Sequence, residues 1–162
     1  MSGIPMVSFA AYSGTGKTTL IERLVRSLKE DGLRVAVIKH DAHDFEIDRE
    51  GKDSWRFTRA GADLSIISSG TKTALIEQRQ LSFSQVVAMV HDVDLILVEG
   101  YKSEGLTQIG LCRTAVGKGL PADISRYAAV VTDEPISNTD VPQFGFDDIQ
   151  LLKAFLRFLL RI

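Results

Sequence analysis

The segment Ala11-Tyr12-Ser13-Gly14-Thr15-Gly16-Lys17-Thr18 constrains this chain more than any other. It stands between the apolar run Met6-Val7-Ser8-Phe9-Ala10 and a stretch in which Leu20, Ile21, Leu24, Val25 and Leu28 recur at helical spacing. A buried strand, a glycine-rich turn and a helix in that order form a phosphate-binding loop. Glycines let successive N–H groups converge on phosphate oxygens, and the helix directs its positive dipole end at the same point. Lys17 would then reach the β- and γ-phosphates, and the Thr18 hydroxyl would sit on a Mg²⁺ ion. The usual first glycine is replaced by Ala11, which predicts an ordinary extended φ there. A chance glycine-rich turn is the competing reading, and the context on both sides argues against it.

A chain of 162 residues suits a single domain, long enough for a parallel sheet covered by helices. Lysines and arginines number 19 against 21 aspartates and glutamates, so no basic excess draws it onto nucleic acid or an anionic membrane. No apolar run reaches membrane-spanning length. The single cysteine, Cys112, has no internal disulfide partner, and no secretory leader pattern opens the sequence. Both point to a reducing, cytoplasmic setting.

Apolar runs and helical patterns alternate from end to end, which predicts an α/β fold. Strands are expected at Met6–Ala10, Val35–Lys39, Leu64–Ser68, Ala74–Glu77, Leu95–Glu99, Ile109–Cys112 and Ala128–Thr132. Ala74–Glu77 and Ile109–Cys112 read as short extra strands able to extend a sheet across a two-fold axis. Helices are expected at Lys17–Glu30, Ser54–Ala60 and Ser82–Val90, with a fourth beginning after an N-cap at Asp147. That last helix places Ile149, Leu152, Phe155, Leu159 and Ile162 on one stripe, suited to covering the sheet or to meeting a partner. The predicted class is a three-layer P-loop NTPase-like fold: a mostly parallel sheet, helices on both faces and short added antiparallel strands. Residues 40–53 and 114–126 lack regular patterns, and loops of that length are usually functional or mobile.

Asp94-Leu95-Ile96-Leu97-Val98-Glu99-Gly100 ends an apolar run in an acid and a glycine. Ligands of open parallel sheets gather at the carboxyl ends of the strands, so Glu99 is expected beside the phosphate loop, holding a Mg²⁺-bound water or orienting an attacking one. A solvated glutamate closing a strand is the plainer alternative. Asp94, at the other end, reads as a turn residue.

Lys39-His40-Asp41-Ala42-His43-Asp44-Phe45-Glu46-Ile47-Asp48 packs two imidazoles and four carboxylates into one connection. Asp41 is a candidate metal ligand, and His40 or His43 a candidate contact for the γ-phosphate. A transition-metal site competes, as does a solvated loop. Arg56 and Arg59 follow on a helix for which Asp53 is a candidate N-cap, and together they can form an anion-binding face.

The segments Ala11–Thr19, Lys39-His40-Asp41-Ala42-His43, Gly51-Lys52-Asp53-Ser54 and Asp94–Lys102 together resemble the molybdopterin-guanine dinucleotide biosynthesis adapter family, MobB, over nearly the whole length. The resemblance implies a GTP-binding protein with weak GTPase activity, homodimeric through sheet pairing. It would assist the guanylyltransferase that joins GMP to molybdenum-molybdopterin. It places nucleotide contacts on Ser13, Gly14, Thr15, Gly16, Lys17, Thr18 and Thr19. Glu99, Asp41 and His43 would act at the phosphate end, with Mg²⁺ held by Thr18, Glu99 and Asp41. Tyr12 occupies the place of the signature lysine of partition-type ATPases, which argues against that group.

No complete Asn-Lys-x-Asp sequence occurs, but Val130-Val131-Thr132-Asp133-Glu134-Pro135 closes a strand with an aspartate suited to the guanine N1–H and amine. A surface turn capped by Pro135 explains the same residues. Two rival functions share the phosphate loop: a small-molecule kinase using His43, Arg56 and Arg59, and a metal-delivery GTPase using His40 and His43.

Overall fold

The computed structural model describes residues 3–40, 45 and 47–162. In chain order the elements are β1 (Met6–Ala10), α1 (Lys17–Glu30), β2 (Val35–Lys39), α2 (Asp53–Arg59), β3 (Leu64–Ser68), β4 (Thr73–Glu77), α3 (Phe83–Ala88), β5 (Leu95–Glu99), β6 (Gln108–Cys112), β7 (Ala129–Thr132), β8 (Gln143–Phe144) and α4 (Ile149–Leu160). Two 3-10 turns, Thr114–Val116 and Ile124–Arg126, interrupt the connection between β6 and β7. The chain forms two compact units, one running to His40 and resuming at Val87, the other lying between them in sequence.

The first unit is built on a six-stranded sheet in the order β2-β5-β1-β6-β7-β8, with every pairing parallel. Parallel pairing requires crossovers that cover the sheet, so its central strands β5, β1, β6 and β7 are buried on both faces and read as largely apolar runs. Leu95, Ile96, Leu97 and Val98 of β5 are all fully buried. The register sets Phe9 opposite Glu99 on one side and Ile109 on the other, and Lys39 opposite Glu99. The carboxyl ends of these strands, and the loops that leave them, therefore share one edge.

Helices α1 and α4 lie together on one face. Leu20, Ile21, Leu24 and Leu28 of α1 and Ile149, Leu152 and Leu156 of α4 share a core with Val7, Phe9, Leu95, Leu97, Ile109, Leu111 and Val131. Asp31 ties the two helices at their rim, accepting from Lys153 at 2.9 Å and Arg157 at 3.0 Å. On the opposite face Ala10, Cys112, Tyr127 and Val130 pack under Leu120, Ala122 and Ile124. Gly110 is bare there by necessity, because a Cβ would stand 2.9 Å from the Tyr127 ring and 2.9 Å from Leu120.

Several expectations change. Ile109–Cys112 is no added edge strand: β6 is central, paired to β1 and β7 and buried on both faces. A short apolar run does not reveal its place in a sheet. The two-residue β8 was not anticipated. Asp147 does not cap α4; Asp148 stands at the N-cap, while Asp147 pairs with Arg23 at 2.8 Å. Leu156, rather than Phe155 or Leu159, completes the buried stripe of α4. Asp94 is more than a turn residue. Its carboxylate accepts from the Arg34 amide at 2.8 Å and the Arg34 guanidinium at 2.9 Å, clamping β2 to β5 where both begin.

In the second unit β3 and β4 form an antiparallel ribbon with Leu64 opposite Glu77 and Ile67 opposite Ala74. Leu64, Ile66, Ile67 and Leu75 of this ribbon are exposed. In the Gly51-Lys52-Asp53-Ser54 turn, the buried Ser54 hydroxyl donates to Asp48 at 2.9 Å. Lys52, not Asp53, occupies the N-cap of α2.

Candidate functional site

The phosphate-loop candidate leaves β1 and enters α1. Gly14 (φ +82°) and Gly16 (φ +94°) take left-handed conformations, whereas Ala11 does not. A Cβ at Gly14 would meet nothing within 4 Å, so backbone conformation, not space, demands glycine there. Thr15 is buried and turned inward: its hydroxyl donates to the Tyr12 carbonyl at 2.8 Å and its amide to the same oxygen at 3.4 Å. Ser13, Gly14, Thr18 and Thr19 are exposed around it.

The start of α1 is built for an anion. Gly16 is its N-cap, no side chain caps it and no acid lies in its first turn. The first intrahelical bond is Leu20 N–H to the Gly16 carbonyl at 3.0 Å, so the preceding helical amides have no acceptor within the helix. Those amides, the macrodipole, Lys17 and the Thr18 hydroxyl form a donor set that fits a polyphosphate with Mg²⁺.

Glu99 joins them from the end of β5. Lys17 Nζ lies 3.3 Å from Glu99 Oε1, and both side chains are mostly buried. The turn after Glu99 is held in an uncommon shape, with Gly100 at φ +95° and Tyr101 at φ +49°. His40 N–H donates to the Glu99 carbonyl at 2.8 Å, and its ring stacks on Tyr101 at 4.5 Å between centroids. A Cβ on Gly100 would come within 2.9 Å of the His40 carbonyl oxygen. Burial, helped by the charge of Glu104, pushes the Tyr101 phenol above its ordinary pKa. Asp41, Ala42, His43, Asp44 and Glu46 lie outside the described residues. Among the described residues no group of three or more His, Cys, Asp or Glu is arranged to hold a metal.

Asp133 follows β7. Its Oδ1 accepts from the Thr114 amide at 2.9 Å and the Thr114 hydroxyl at 3.1 Å. The amide bond is the main reason its pKa falls below the usual carboxylate range. Thr114 therefore orients the Asp133 carboxylate, a role that the sequence did not single out. A cleft of about 360 Å³ opens beside it, lined by Thr132, Asp133, Pro135, Gln143, Phe144 and Gly145. Gln143 is pinned by a pair of 2.8 Å hydrogen bonds with the Ile136 backbone. Arg113 was also missed. It directly follows β6, its Nε donates to the Thr15 carbonyl at 3.2 Å, and its guanidinium lies 3.9 Å above the Phe146 ring.

In the second unit, Arg56 lies 3.9 Å from the Asp53 carboxylate and Arg59 stands 5.3 Å over the Trp55 ring. Both cations are engaged locally. No helix among the described residues is long and apolar enough to cross a membrane.

Comparison with known proteins bears on the family and the fold. Residues 6–133 match the family model described as molybdopterin guanine dinucleotide synthesis protein B. The chain is 39% identical over 162 residues to the molybdopterin-guanine dinucleotide biosynthesis adapter protein of Escherichia coli, covering 94% of this chain and 91% of that one. It is 40% identical over 138 residues to the adapter of the same description from Haemophilus influenzae, covering 82% and 77%. The crystal structure of Bacillus subtilis MobB has the same fold, with a TM-score of 0.77 over 94% of this chain and 98% of that one at 24% identity. The expected P-loop NTPase-like α/β architecture is therefore present, and the chain belongs to the MobB family of molybdopterin-guanine dinucleotide biosynthesis adapters.

Proposed function

We propose that this chain is a GTP-binding adapter with weak GTPase activity, assisting the guanylyltransferase that attaches GMP to molybdenum-molybdopterin. The observation that carries the reading is the convergence, on one sheet edge, of an uncapped helix start, Lys17 and Glu99. The amides from Gly14 to Thr19 and Lys17 grip the polyphosphate, and the Thr18 hydroxyl and Glu99 serve Mg²⁺ directly or through its waters. Bound Mg²⁺ supplies charge neutralisation across the phosphates. Asp133 accepts from the guanine edge through the oxygen that Thr114 does not use.

Asp41 and His43 are proposed for the metal and the γ-phosphate end, from their place directly after His40 in sequence. The exposed β3–β4 ribbon is proposed as the surface that pairs two copies of the chain. The two units are proposed to serve one nucleotide-binding domain, working in the cytoplasm. Adapter action follows from a nucleotide-dependent change in a surface that the partner enzyme reads.

Calorimetric titration with GTP, GDP and ATP, each with and without Mg²⁺, tests this. Tight, Mg²⁺-assisted binding of GTP over ATP is expected. Equal affinity for ATP removes the guanine assignment, and stoichiometric transfer of the γ-phosphate to a small acceptor makes the chain a kinase instead.

A further inference from the structure

We propose that Arg113 is the platform on which the purine ring of the bound nucleotide stacks. The proposal deepens the nucleotide reading above and rests on it.

Position is the first argument. Arg113 follows β6, which lies between β1 and β7. The β1 loop carries the phosphate-binding amides and the β7 loop carries Asp133, so Arg113 rises between the two ends that one nucleotide must span. Its Nη2 would lie 3.6 Å from a Cβ built on Gly16, which puts the guanidinium against the start of α1.

Fixation is the second. The Nε bond to the Thr15 carbonyl and the Phe146 ring at 3.9 Å hold the guanidinium from two sides. Phe146 is itself held, because Arg23 donates to its carbonyl at 2.9 Å while the neighbouring Gly145 amide donates to Asp148 at 2.7 Å. Among the described residues no carboxylate forms an ion pair with Arg113. A flat cation, kept in place by the Thr15 carbonyl and the Phe146 ring, stacks well on an electron-rich purine.

The adjoining cleft is the third. Thr132, Asp133, Phe144 and Gly145 line a space of about 360 Å³ with a carboxylate at its rim. Asp133 reads an edge of the ring and Arg113 covers a face. A strut that merely supports the loop would explain the Thr15 bond, but it needs neither the stacked plane nor the neighbouring cleft.

The test compares GTP with inorganic tripolyphosphate, both with Mg²⁺, by calorimetry on the unmodified chain and on Arg113→Ala, Arg113→Lys and Phe146→Leu. Arg113→Ala is expected to weaken GTP roughly tenfold and to leave tripolyphosphate unchanged. Arg113→Lys keeps the charge but not the plane, so it falls between. Phe146→Leu keeps the packing volume and removes the ring, and it lowers GTP affinity alone. Equal losses for both ligands in Arg113→Ala, or no loss for either, overturns the proposal and leaves triphosphate binding standing. Failure of the unmodified chain to bind either ligand overturns the underlying reading, and is seen before any variant is made.

Discussion

Lys17 Nζ lies 3.3 Å from Glu99 Oε1, the lysine at the start of α1 and the glutamate at the end of β5. The register that sets Phe9 beside Glu99 brings them together, so the pair is a property of the sheet before any ligand arrives. Without phosphate, the carboxylate is the partner of the ammonium group. On the proposed reading, a bound triphosphate would take Lys17 over and free Glu99 for Mg²⁺. Lys17→Ala should therefore weaken GTP binding by about 1.5–3 kcal/mol, roughly ten- to a hundredfold, since it removes a charged donor. Glu99→Gln should do something different: raise affinity for GTP without Mg²⁺, because competition for Lys17 is relieved, and reduce the gain that Mg²⁺ brings. Paired calorimetric titrations with and without Mg²⁺ read both effects. Parallel behaviour of the two variants would mean that the pair is not shared in this way.

Gly100→Ala should destabilise the first unit by about 1–3 kcal/mol. The new Cβ is strained at φ +95° and would meet the His40 carbonyl oxygen at 2.9 Å, so backbone must move. Urea denaturation gives the loss. Loosening of the His40–Tyr101 stack would appear as a changed tyrosine fluorescence in the folded variant.

On the opposite face, Gly110→Ala overpacks the Tyr127 ring at a cost of about 1–3 kcal/mol. Adding Tyr127→Leu should recover part of it, giving a double variant whose loss is smaller than the sum of the single losses. Simple additivity in thermal melts would show that the two residues do not meet.

Arg34 holds the Asp94 carboxyl down to about 2 from its ordinary 3.8. A depressed carboxylate stabilises the folded state at every pH above its unfolded value. That contribution disappears as pH falls from 3.8 to about 2. Asp94→Asn should be less stable at neutral pH and lose less on acidification through that window. Both partners of the clamp are partly exposed, so the difference is greatest at low salt. Denaturation curves at several pH values and two ionic strengths measure it.

Ile67→Asp, in the middle of the exposed ribbon, should reduce the sedimenting mass to that of one chain while leaving helix and sheet content unchanged. A species already monomeric in the unmodified protein would dispose of the proposed pairing.

Local patterns were the most legible part of this chain. The boundaries of α1, β1, β2, β3 and β5 fall where apolar spacing places them, because that signal arises within a few residues of the element it marks. What long-range packing decides was hidden. The central place of β6 depends on β1 and β7, and β8 is too short to carry a pattern. Glu99 was readable because a strand end and an acid coincide in one motif. Arg113 and Thr114 were not, since each acts through a partner nearly a hundred or about twenty positions away: Thr15 for the first, Asp133 for the second.

The strand that introduces the phosphate loop pairs only with segments made much later, Phe9 meeting Glu99 and Ile109. On a ribosome adding roughly 5–20 residues per second, β1 waits several seconds for its neighbours. The earliest motif to be synthesised is thus among the last to be assembled. A truncated chain that stops before β5 carries the phosphate loop in its sequence yet lacks Glu99, Asp133 and the strands that hold the loop in shape.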